Sequence, residues 1–238
     1  MAERKEKIVL SWSGGKDSVM ALYELLKAGS YEIVALLTTV TETVDRISMH
    51  GVRRSLLRRQ AEALGFPLHI VSIPPRANNA IYEARMEERL RHYQRQGIRQ
   101  VAFGDIFLED IRTYREEHLA RVGLQAVFPL WKRETHQLAR AFIESGFRAV
   151  VTCVDPNALD PSFLGRLIDD AFLRALPSNV DPCGENGEFH SFVFDGPIFR
   201  EPIAFSLGGK VERDGFWFCD LLPGDGRGAL GRRSDSAC

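Results

Sequence analysis

The stretch Ser13-Gly14-Gly15-Lys16-Asp17-Ser18 decides how this chain folds. It follows Ile8-Val9-Leu10, a short apolar, β-branched run that predicts a buried strand. It precedes Val19–Ala28, where apolar residues recur at helical spacing, and Gly29 stands where it can end that helix. The sequence therefore predicts a strand, a tight glycine turn and a helix in direct succession.

Such a turn is suited to holding a phosphate. Glycines let the backbone approach a ligand closely, and free N–H groups at the positive end of a helix attract an anion. Lys16 adds a cation, Ser13 and Ser18 add hydroxyls, and Asp17 can hold a metal ion. The stretch is not a Walker A loop, because Leu10 and Asp17 replace its first glycine and its final Ser or Thr. The alternative is a plain glycine turn with a solvated Lys–Asp pair, which the strand, loop and helix order disfavours.

Net charge and hydropathy argue against several classes of protein. The 238 residues are 45% hydrophobic, enough for one large core or two modest ones. Lys plus Arg is 31 and Asp plus Glu is 32, so the net charge is −1 and the basic surplus usual in nucleic-acid-binding proteins is absent. Residues 1–7 are charged and unlike a signal peptide, and no apolar run reaches the length of a membrane span. We expect a cytoplasmic protein without membrane partners.

The cysteines indicate neither a zinc site nor a redox motif. Cys153, Cys183, Cys219 and Cys238 include no Cys-x-x-Cys pair. In a cytosolic chain we expect free thiols, with Cys153 and Cys219 buried and inert.

The first half of the chain alternates strands with helices. Further predicted strands are 32–39, 67–73, 100–103 and 124–128, predicted helices are 52–64, 78–96 and 109–122, and 40–51 is a predicted loop. Alternation of this kind predicts βαβ units, right-handed crossovers and a doubly wound parallel sheet of the α/β class. We place the end of this first domain near residue 131, so that it spans 1–131.

The second half predicts a smaller α+β domain over 132–223. Its predicted elements are a helix at 134–146, a strand at 148–154, a helix at 163–176 capped by Ser162 or Asp160, and apolar strands at 191–194 and 198–207. Asp214-Gly215 lies between apolar runs and predicts a hairpin turn. Residues 224–238 are rich in Gly, Arg, Ser and Asp and predict a disordered tail.

The motifs resemble those of a known family. Ser13–Ser18 resembles the PP-loop of the ATP pyrophosphatases, enzymes that split ATP between its α- and β-phosphates. Asp181-Pro-Cys-Gly-Glu-Asn-Gly-Glu-Phe-His190 resembles the C-terminal signature of the diphthine–ammonia ligase family, with support from 103–106, 129–131 and 164–166. The resemblance covers roughly residues 7–222. It implies an adenine nucleotide α-hydrolase (HUP-like) fold and an ATP- and Mg²⁺-dependent ligase. Such an enzyme adenylates a carboxylate, releases pyrophosphate and AMP, and forms an amide with ammonia.

The resemblance and the chemistry together give candidate site residues. The ATP-binding candidates are Ser11, Ser13, Gly14, Gly15, Lys16, Asp17, Ser18, Thr38, His50 and Gly104; the resemblance places Thr38 and His50 near adenine and ribose. The catalytic candidates are Lys16, Asp105, Glu185, Glu188 and His190. Asp17, together with pyrophosphate, is the candidate ligand for Mg²⁺. Two structural alternatives stay open: Asp105 as a turn residue capping the next helix, and the two glutamates in an ordinary surface turn.

The signature departs from the pattern of archaeal and eukaryotic members, Gly-Glu-Gly-Gly-Glu-Tyr/Phe-Glu-Thr. Asn186 replaces the second glycine, and His190 replaces the acidic residue after the aromatic. A site for the trimethylammonium group of diphthine would lose a carboxylate there. The chain resembles the bacterial-type branch, so we expect a carboxylate acceptor on a small molecule or a protein, and not necessarily diphthine.

Two other functions remain open at this point. A tRNA-modifying PP-loop enzyme of the thiolation or lysidine type is suggested by Cys183 and by a basic stripe on the predicted second helix: Arg53, Arg54, Arg58 and Arg59. The neutral net charge favours a solvated helix face instead. A non-enzymatic nucleotide sensor, related in fold to universal stress proteins, would not need Lys16 or the glutamate pair. A homodimer is also left open.

Overall fold

A computed structural model describes residues 5–42, 45–47 and 50–224 of the chain. The strands are β1 Glu6–Ser11, β2 Tyr31–Thr41, β3 Arg46–Ile47, β4 Leu68–Ile73, β5 Gln100–Ala102, β6 Gln125–Val127, β7 Arg148–Val154, β8 Phe189–Asp195, β9 Phe205–Arg213 and β10 Phe216–Pro223. The helices are α1 Lys16–Ala28, α2 Arg54–Leu64, α3 Asn79–Arg95, α4 Glu109–Ala120, α5 Thr135–Glu144 and α6 Asp170–Ala175, with a 3-10 helix at Pro161–Phe163. The predicted disordered tail lies outside the described residues except for Gly224, whose N–H donates to the Ala204 carbonyl.

The first sheet is doubly wound, as predicted. Strands β4, β2, β1, β5 and β6 lie side by side in that order and pair in parallel, and short β3 pairs antiparallel with the end of β2. Both faces are covered. Ile8 and Leu10 pack in the core beneath α1 and α2, whereas Val9 packs with residues of α3 and α4. This two-sided burial explains why the strands read as continuous apolar runs.

The winding creates a crevice at the end of β1. The chain leaves β1 for α1 on one face of the sheet and leaves β5 for α4 on the other. Such a switch point is where open α/β sheets bind ligands. It places Ser13–Ser18, after β1, beside Gly104 and Asp105, which follow β5.

The second sheet is antiparallel, in the order β8-β7-β10-β9, and it packs against the α1 and α2 layer. The Tyr23 and Phe147 rings meet edge to face with centroids 5.3 Å apart, and the Val193 N–H donates to the Gly14 carbonyl at 3.0 Å. One apolar cluster therefore contains residues from both sheets. The boundary near residue 131, which falls between β6 and α5, stays a prediction.

The predicted helix over 163–176 is wrong. Asp160 caps only the 3-10 helix, and α6 begins at Asp170. Between them, Gly165 has φ of 82° and donates its N–H to Val151, and Ile168 donates to Ala149. The segment therefore runs along β7, because backbone hydrogen bonds to that strand replace those of a helix.

The predicted strand over 198–207 is also misplaced. The chain turns at Gly196, Phe199 and Ile203 are buried without forming a strand, and β9 begins at Phe205. Their apolar character reflects burial in the shared core and not strand pairing. The hairpin prediction is confirmed, because Asp214 and Gly215 both have positive φ between β9 and β10. In the first half, the end of β2 and β3 replace part of the predicted loop 40–51.

Two composition-based predictions can be compared with the described residues. Cys153, Cys183 and Cys219 are buried free thiols, as expected; Cys238 lies outside the described part. Within 5–42, 45–47 and 50–224, no helix has both the length and the apolar character that crossing a membrane requires.

Candidate active site

The loop after β1 is braced by hydroxyls and by the second sheet. Gly15 donates its N–H to Ser13 Oγ at 3.2 Å, and Ser18 Oγ donates to the Gly15 carbonyl at 2.9 Å. Lys16, the first residue of α1, donates its N–H to Ser191 Oγ of β8 at 3.2 Å. Gly14 has φ of 78°, a conformation that strains other residues. The loop is therefore preformed, with its amides held toward the end of the helix.

Lys16 sits where the two halves of the chain meet. Only 3% of the residue is exposed. Its Nζ donates to both oxygens of Asp17, at 2.7 and 2.9 Å, and to the Cys183 carbonyl. Burial lowers the pKa of Lys16, but Asp17, Cys183 and Glu185 together outweigh it and leave the pKa above its ordinary value. Lys16 is thus a fixed ammonium ion at the mouth of the loop.

Gly104 brings the end of β5 against the first turn of α1. A Cβ atom at this position would lie 2.9 Å from the Asp17 carbonyl carbon and 3.0 Å from the Ser18 nitrogen. Such contacts are with backbone, which cannot move aside without displacing the loop. The glycine predicted from the sequence as a point of close approach therefore approaches the helix that carries Lys16 and Asp17.

Asp105 is held by an arginine that the sequence analysis did not single out. Arg115 of α4 donates from Nε to Asp105 Oδ2 at 2.6 Å and from Nη2 to Oδ1 at 3.1 Å. The guanidinium also lies 4.4 Å from the centre of the Phe103 ring. Asp105 is therefore a paired, mostly buried carboxylate beside the loop, oriented by α4.

The turn over Asp181–Glu188 is tied together by its own carboxylates. Asp181 Oδ1 accepts the N–H groups of Cys183 at 2.9 Å and Glu185 at 3.2 Å. Glu188 is 6% exposed, and its Oε1 accepts the Asp181 N–H and the Asn186 side-chain amide, both at 2.9 Å. Its Oε2 is buried without a partner among the described residues. Glu188 therefore shapes the turn while keeping one acceptor oxygen free.

Glu185 extends from this turn to the end of the first sheet. Its Oε1 accepts the N–H of Ile106 at 2.6 Å and of Phe107 at 3.3 Å, directly after Asp105. Burial raises the pKa of Glu185 to about 7, the two amides lower it, and the Asp17 and Asp105 carboxylates raise it further. The two glutamates thus differ: Glu185 bonds to the amides that follow Asp105 and feels the charges of Asp17 and Asp105, whereas Glu188 bonds within its own turn.

His190 is paired with His50 beside the loop. The two rings lie 4.5 Å apart between centroids, and His50 Nδ1 is 3.4 Å from the Ser191 carbonyl oxygen. Burial lowers the pKa of His50 to about 4, and burial, His50 and Lys16 lower that of His190 well below its usual range. Both imidazoles are therefore neutral at pH 7. His190 Nε2 is buried without a partner among the described residues.

Two ATP-binding candidates lie apart from this cluster. Ser11 lines a cavity between α3 and α4, on the face of the sheet that holds Val9. Thr38 is buried in β2, where strand alternation places it with Leu36 on the opposite face. The described contacts do not join either residue to the loop amides, so their roles stay predictions.

Sequence reasoning missed Gln60, which is fully buried on α2. Its Nε2 donates to the Gly14 carbonyl at 2.9 Å and to the Val193 carbonyl at 2.7 Å, and its Oε1 accepts from Trp12 Nε1 at 2.8 Å. The signal available in the sequence was the position of this glutamine between Leu57 and Ala61, where helical spacing places it on the buried side of α2. Its amide links the loop to both β8 and α2.

The basic stripe of α2 makes contacts within the chain. Arg53 pairs with Asp220 of β10, Arg54 pairs with Asp45, and Arg59 Nη1 donates to the Gly224 carbonyl at 2.6 Å. Arg53 and Arg59 therefore attach β10 and its end to α2, and Arg54 pairs within the first half of the chain, which weakens the interpretation of the stripe as a nucleic-acid surface.

Two family models cover most of the chain. Residues 6–126 match the model described as Diphthamide synthase N-terminal domain, and residues 134–221 match Diphthamide synthase C-terminal domain. The chain is 29% identical over 214 residues to the human protein named diphthine–ammonia ligase, covering 80% of this chain and 79% of that one. It is 26% identical over 228 residues to the Schizosaccharomyces pombe protein of the same name, covering 88% of this chain but 38% of that longer protein.

A solved structure shows a partial likeness. The U34-tRNA thiolase NcsA from Methanococcus maripaludis with its 4Fe-4S cluster aligns over 59% of each chain, with 17% identity and a TM-score of 0.38. This degree of similarity carries no argument about the present site.

Proposed function

Since the chain belongs to the diphthamide synthase family, we propose that it is an ATP-dependent ligase that adenylates a carboxylate and amidates it with ammonia. The observation that carries the proposal is that Lys16 of the PP-loop (Ser13–Ser18) contacts the signature turn (Asp181–His190). The lysine ammonium contacts the Cys183 carbonyl, and its backbone N–H is held by Ser191. A nucleotide site and a carboxylate-bearing turn therefore share one crevice.

The first half-reaction would occur at the PP-loop. A carboxylate oxygen of the acceptor attacks the α-phosphorus of ATP, and the bond to the oxygen bridging the α- and β-phosphorus breaks, so pyrophosphate leaves. Negative charge grows on the phosphate oxygens, where Lys16 and the loop amides stabilise it. Within the described residues no cluster of three or more His, Cys, Asp or Glu could hold a metal. Asp17 would hold Mg²⁺ together with phosphate oxygens, where the ion would neutralise pyrophosphate charge, and Lys16 Nζ, which bonds both Asp17 oxygens, would turn to the phosphates.

The second half-reaction would occur beneath the signature turn. Ammonia attacks the carbonyl carbon of the acyl adenylate, the nitrogen loses a proton, and the bond from that carbon to the AMP oxygen breaks. Glu185 suits the role of proton acceptor, because a pKa of about 7 lets it both take and release a proton near neutrality. The free Oε2 of Glu188 suits an N–H donor such as ammonia. Asp105, held by Arg115, would help keep Glu185 poised by its charge.

The acceptor is proposed as a carboxylate on a protein or a small molecule. The relatives are named for diphthine, but the positions that differ from the family pattern are neutral here. Asn186 uses its amide to hold Glu188, and His190 lies against His50 as a neutral ring. A quaternary ammonium group would find no negative charge at His190. Neither the tRNA-modifying nor the sensor alternative is favoured, since the relatives are named as ligases.

The products of ATP cleavage test the proposal. The purified chain is incubated with Mg²⁺ and metabolite or protein fractions, once with unlabelled ATP and labelled pyrophosphate in the absence of ammonium, and once with α-labelled ATP in the presence of ammonium. We expect ATP–pyrophosphate exchange without ammonium, since adenylation needs no nitrogen donor, and AMP accumulation once ammonium is added. Release of ADP and phosphate instead would contradict an adenylating ligase.

A further inference from the structure

Asp220 of β10 joins the second sheet to the segment that carries His50. Its Oδ1 accepts from Arg46 Nη1 at 2.7 Å and from Arg53 Nε at 3.0 Å, and its Oδ2 accepts from Arg53 Nη2 at 2.6 Å. Burial raises the pKa of Asp220, but the two guanidinium groups outweigh it and leave the pKa below its ordinary value. The carboxylate is thus charged, and all three of the hydrogen bonds named here come from the planar guanidinium groups of Arg46 and Arg53.

An irregularity in β10 directs the Asp220 side chain toward α2. The pairing of β10 with β9 shifts register between Cys219 and Leu221, so Asp220 lies at an irregularity of the β-bulge type. Bulges redirect a side chain away from the regular alternation of a strand. Gly208 of β9 lies opposite, where an added Cβ would approach the Asp220 Cβ to 3.2 Å. The local sequence therefore leaves room for Asp220 to turn toward α2.

Arg46 connects Asp220 to Gly51, the residue that follows His50. The same Nη1 that bonds Asp220 also donates to the Gly51 carbonyl at 2.8 Å. Gly51 has φ of 65°, and a Cβ there would lie 2.6 Å from the Phe218 ring of β10. Gly51 is thus held by Arg46, by the Phe218 ring and, through its own N–H, by the Ile47 carbonyl at 3.1 Å; the first two of these contacts involve the second sheet.

His50 in turn covers the PP-loop. A Cβ atom on Gly15 would come within 3.1 Å of His50 Cε1, so the ring rests directly on the loop backbone. His50 also packs against His190, with the rings tilted by 38° and their centroids 4.5 Å apart, and approaches the Ser191 carbonyl. A shift of Gly51 would therefore move the ring that closes the loop.

We propose that Asp220 is a positioning residue of the nucleotide site: through Arg46, Arg53 and Gly51 it sets the position of His50 over Gly15. Asp220 itself touches neither the loop nor the signature turn through any contact described above. The inference rests on the proposed ATP site for its functional consequence, but the position of His50 is measurable without any nucleotide.

The experiment compares Asp220→Asn with Asp45→Asn. Asp45 also pairs with an α2 arginine, Arg54, but it is exposed and has no link to Gly51. Asparagine tolerates the positive φ of position 45. Asp220→Glu, which retains the charge, serves as the conservative variant. Thermal unfolding is measured for all three, and binding is measured with α,β-methylene ATP well below each unfolding temperature.

The first readout is the titration of His50 by NMR of histidine-labelled protein, with His50→Gln identifying the signal. In Asp220→Asn we expect the His50 pKa to rise from about 4 toward its ordinary value of 6.5, because the ring loses its buried position. The second readout is affinity: we expect a rise in Kd of about tenfold, the size of losing one well-placed contact. Asp45→Asn should change neither, and Asp220→Glu should restore part of both.

The outcomes separate this inference from the proposed function. If Asp220→Asn melts at lower temperature but keeps the His50 titration and the wild-type Kd, Asp220 only fastens the sheets and the inference is overturned. If the wild-type chain binds no ATP analogue, the proposed function falls, and the His50 titration alone still decides the structural part. If Asp220→Asn does not fold, Arg53→Lys takes its place, since it keeps the charge and removes the two-pronged contact.

Discussion

The PP-loop (Ser13–Ser18) and the signature turn (Asp181–His190) meet at Lys16 but are built in different ways. The loop has short-range hydrogen bonds of its own among Ser13, Gly15 and Ser18, and contacts from α2 and β8 brace it from outside. The turn uses Asp181 and Glu188 to hold its own shape, while Glu185 contacts Ile106, 79 residues away.

The difference indicates separate roles in the proposed reaction, with phosphate binding in the loop and proton transfer in the turn. The strand–loop–helix order supplies an anion site from neighbouring residues, and contacts from β8 and α2 hold that site in place. The turn depends on the packing of the second sheet on α1, so its carboxylates reach the loop only in the complete fold. Substitutions in the loop should therefore abolish ATP chemistry, and substitutions in the turn should alter its pH dependence. Substitutions at the seam between them, where Ser191 of β8 accepts the Lys16 N–H, should have mild effects.

The largest effect is expected at the loop. Lys16→Gln removes the ammonium ion that would stabilise charge on the phosphate oxygens, and we expect AMP release to fall by about 10³. The measurement is the initial rate of AMP formation with saturating ATP. Lys27→Gln, on the exposed end of the same helix, is the matched control and should keep the wild-type rate. A comparable loss in both variants would mean that Lys16 acts only through helix stability.

A smaller effect, with a changed pH profile, is expected in the turn. Activity of the wild type should rise as pH passes through about 7, because Glu185 becomes the carboxylate that accepts a proton. Glu185→Gln should lower the rate by about 10² and remove that limb of the profile. Glu117→Gln, on the exposed face of α4, is the control. If the rise in activity near pH 7 persists in Glu185→Gln, another group is responsible for that rise.

The same variant makes a prediction about stability. The folded pKa of Glu185 is about 7, above the ordinary value of 4.5, so the folded state holds its proton more tightly than the unfolded chain. The free energy of unfolding of the wild type should therefore decline as pH rises between these values, and Glu185→Gln should flatten that decline. Denaturant unfolding at several pH values measures it.

The smallest effect is expected at the seam. Ser191→Ala removes the hydroxyl that accepts the Lys16 N–H at 3.2 Å, but an amide at the start of a helix can turn to phosphate instead. We expect a rise of a few-fold in Kd for α,β-methylene ATP and a loss of about 1 kcal/mol in the free energy of unfolding. Ser206→Ala, exposed on β9, should change neither. A fall in AMP release from Ser191→Ala as large as that from Lys16→Gln would erase the distinction between loop and seam.

Periodicity predicted the first domain well because its strands and helices are regular and its sheet is buried on both faces. It failed where tertiary hydrogen bonds decided the backbone: residues 164–168 run along β7 instead of forming a helix. It also failed at 198–204, whose apolar side chains fill the shared core without entering a strand. For the same reason the site prediction named Asp105 and His190 but not Arg115, Ser191 or Gln60, whose importance lies in the partners they meet.

By itself, the sequence determined a strand, a glycine loop and a helix that present Lys16 and Asp17 to an anion, since each of these depends on neighbours only a few residues away. It also marked the glutamates of the signature turn as candidates. Only the tertiary structure decided that Glu185 reaches the amides that follow Asp105 while Glu188 bonds within its own turn. It likewise decided that His50 rests on Gly15. These arrangements depend on how the second sheet packs on α1, through contacts between residues more than a hundred positions apart, which local patterns in a chain do not encode.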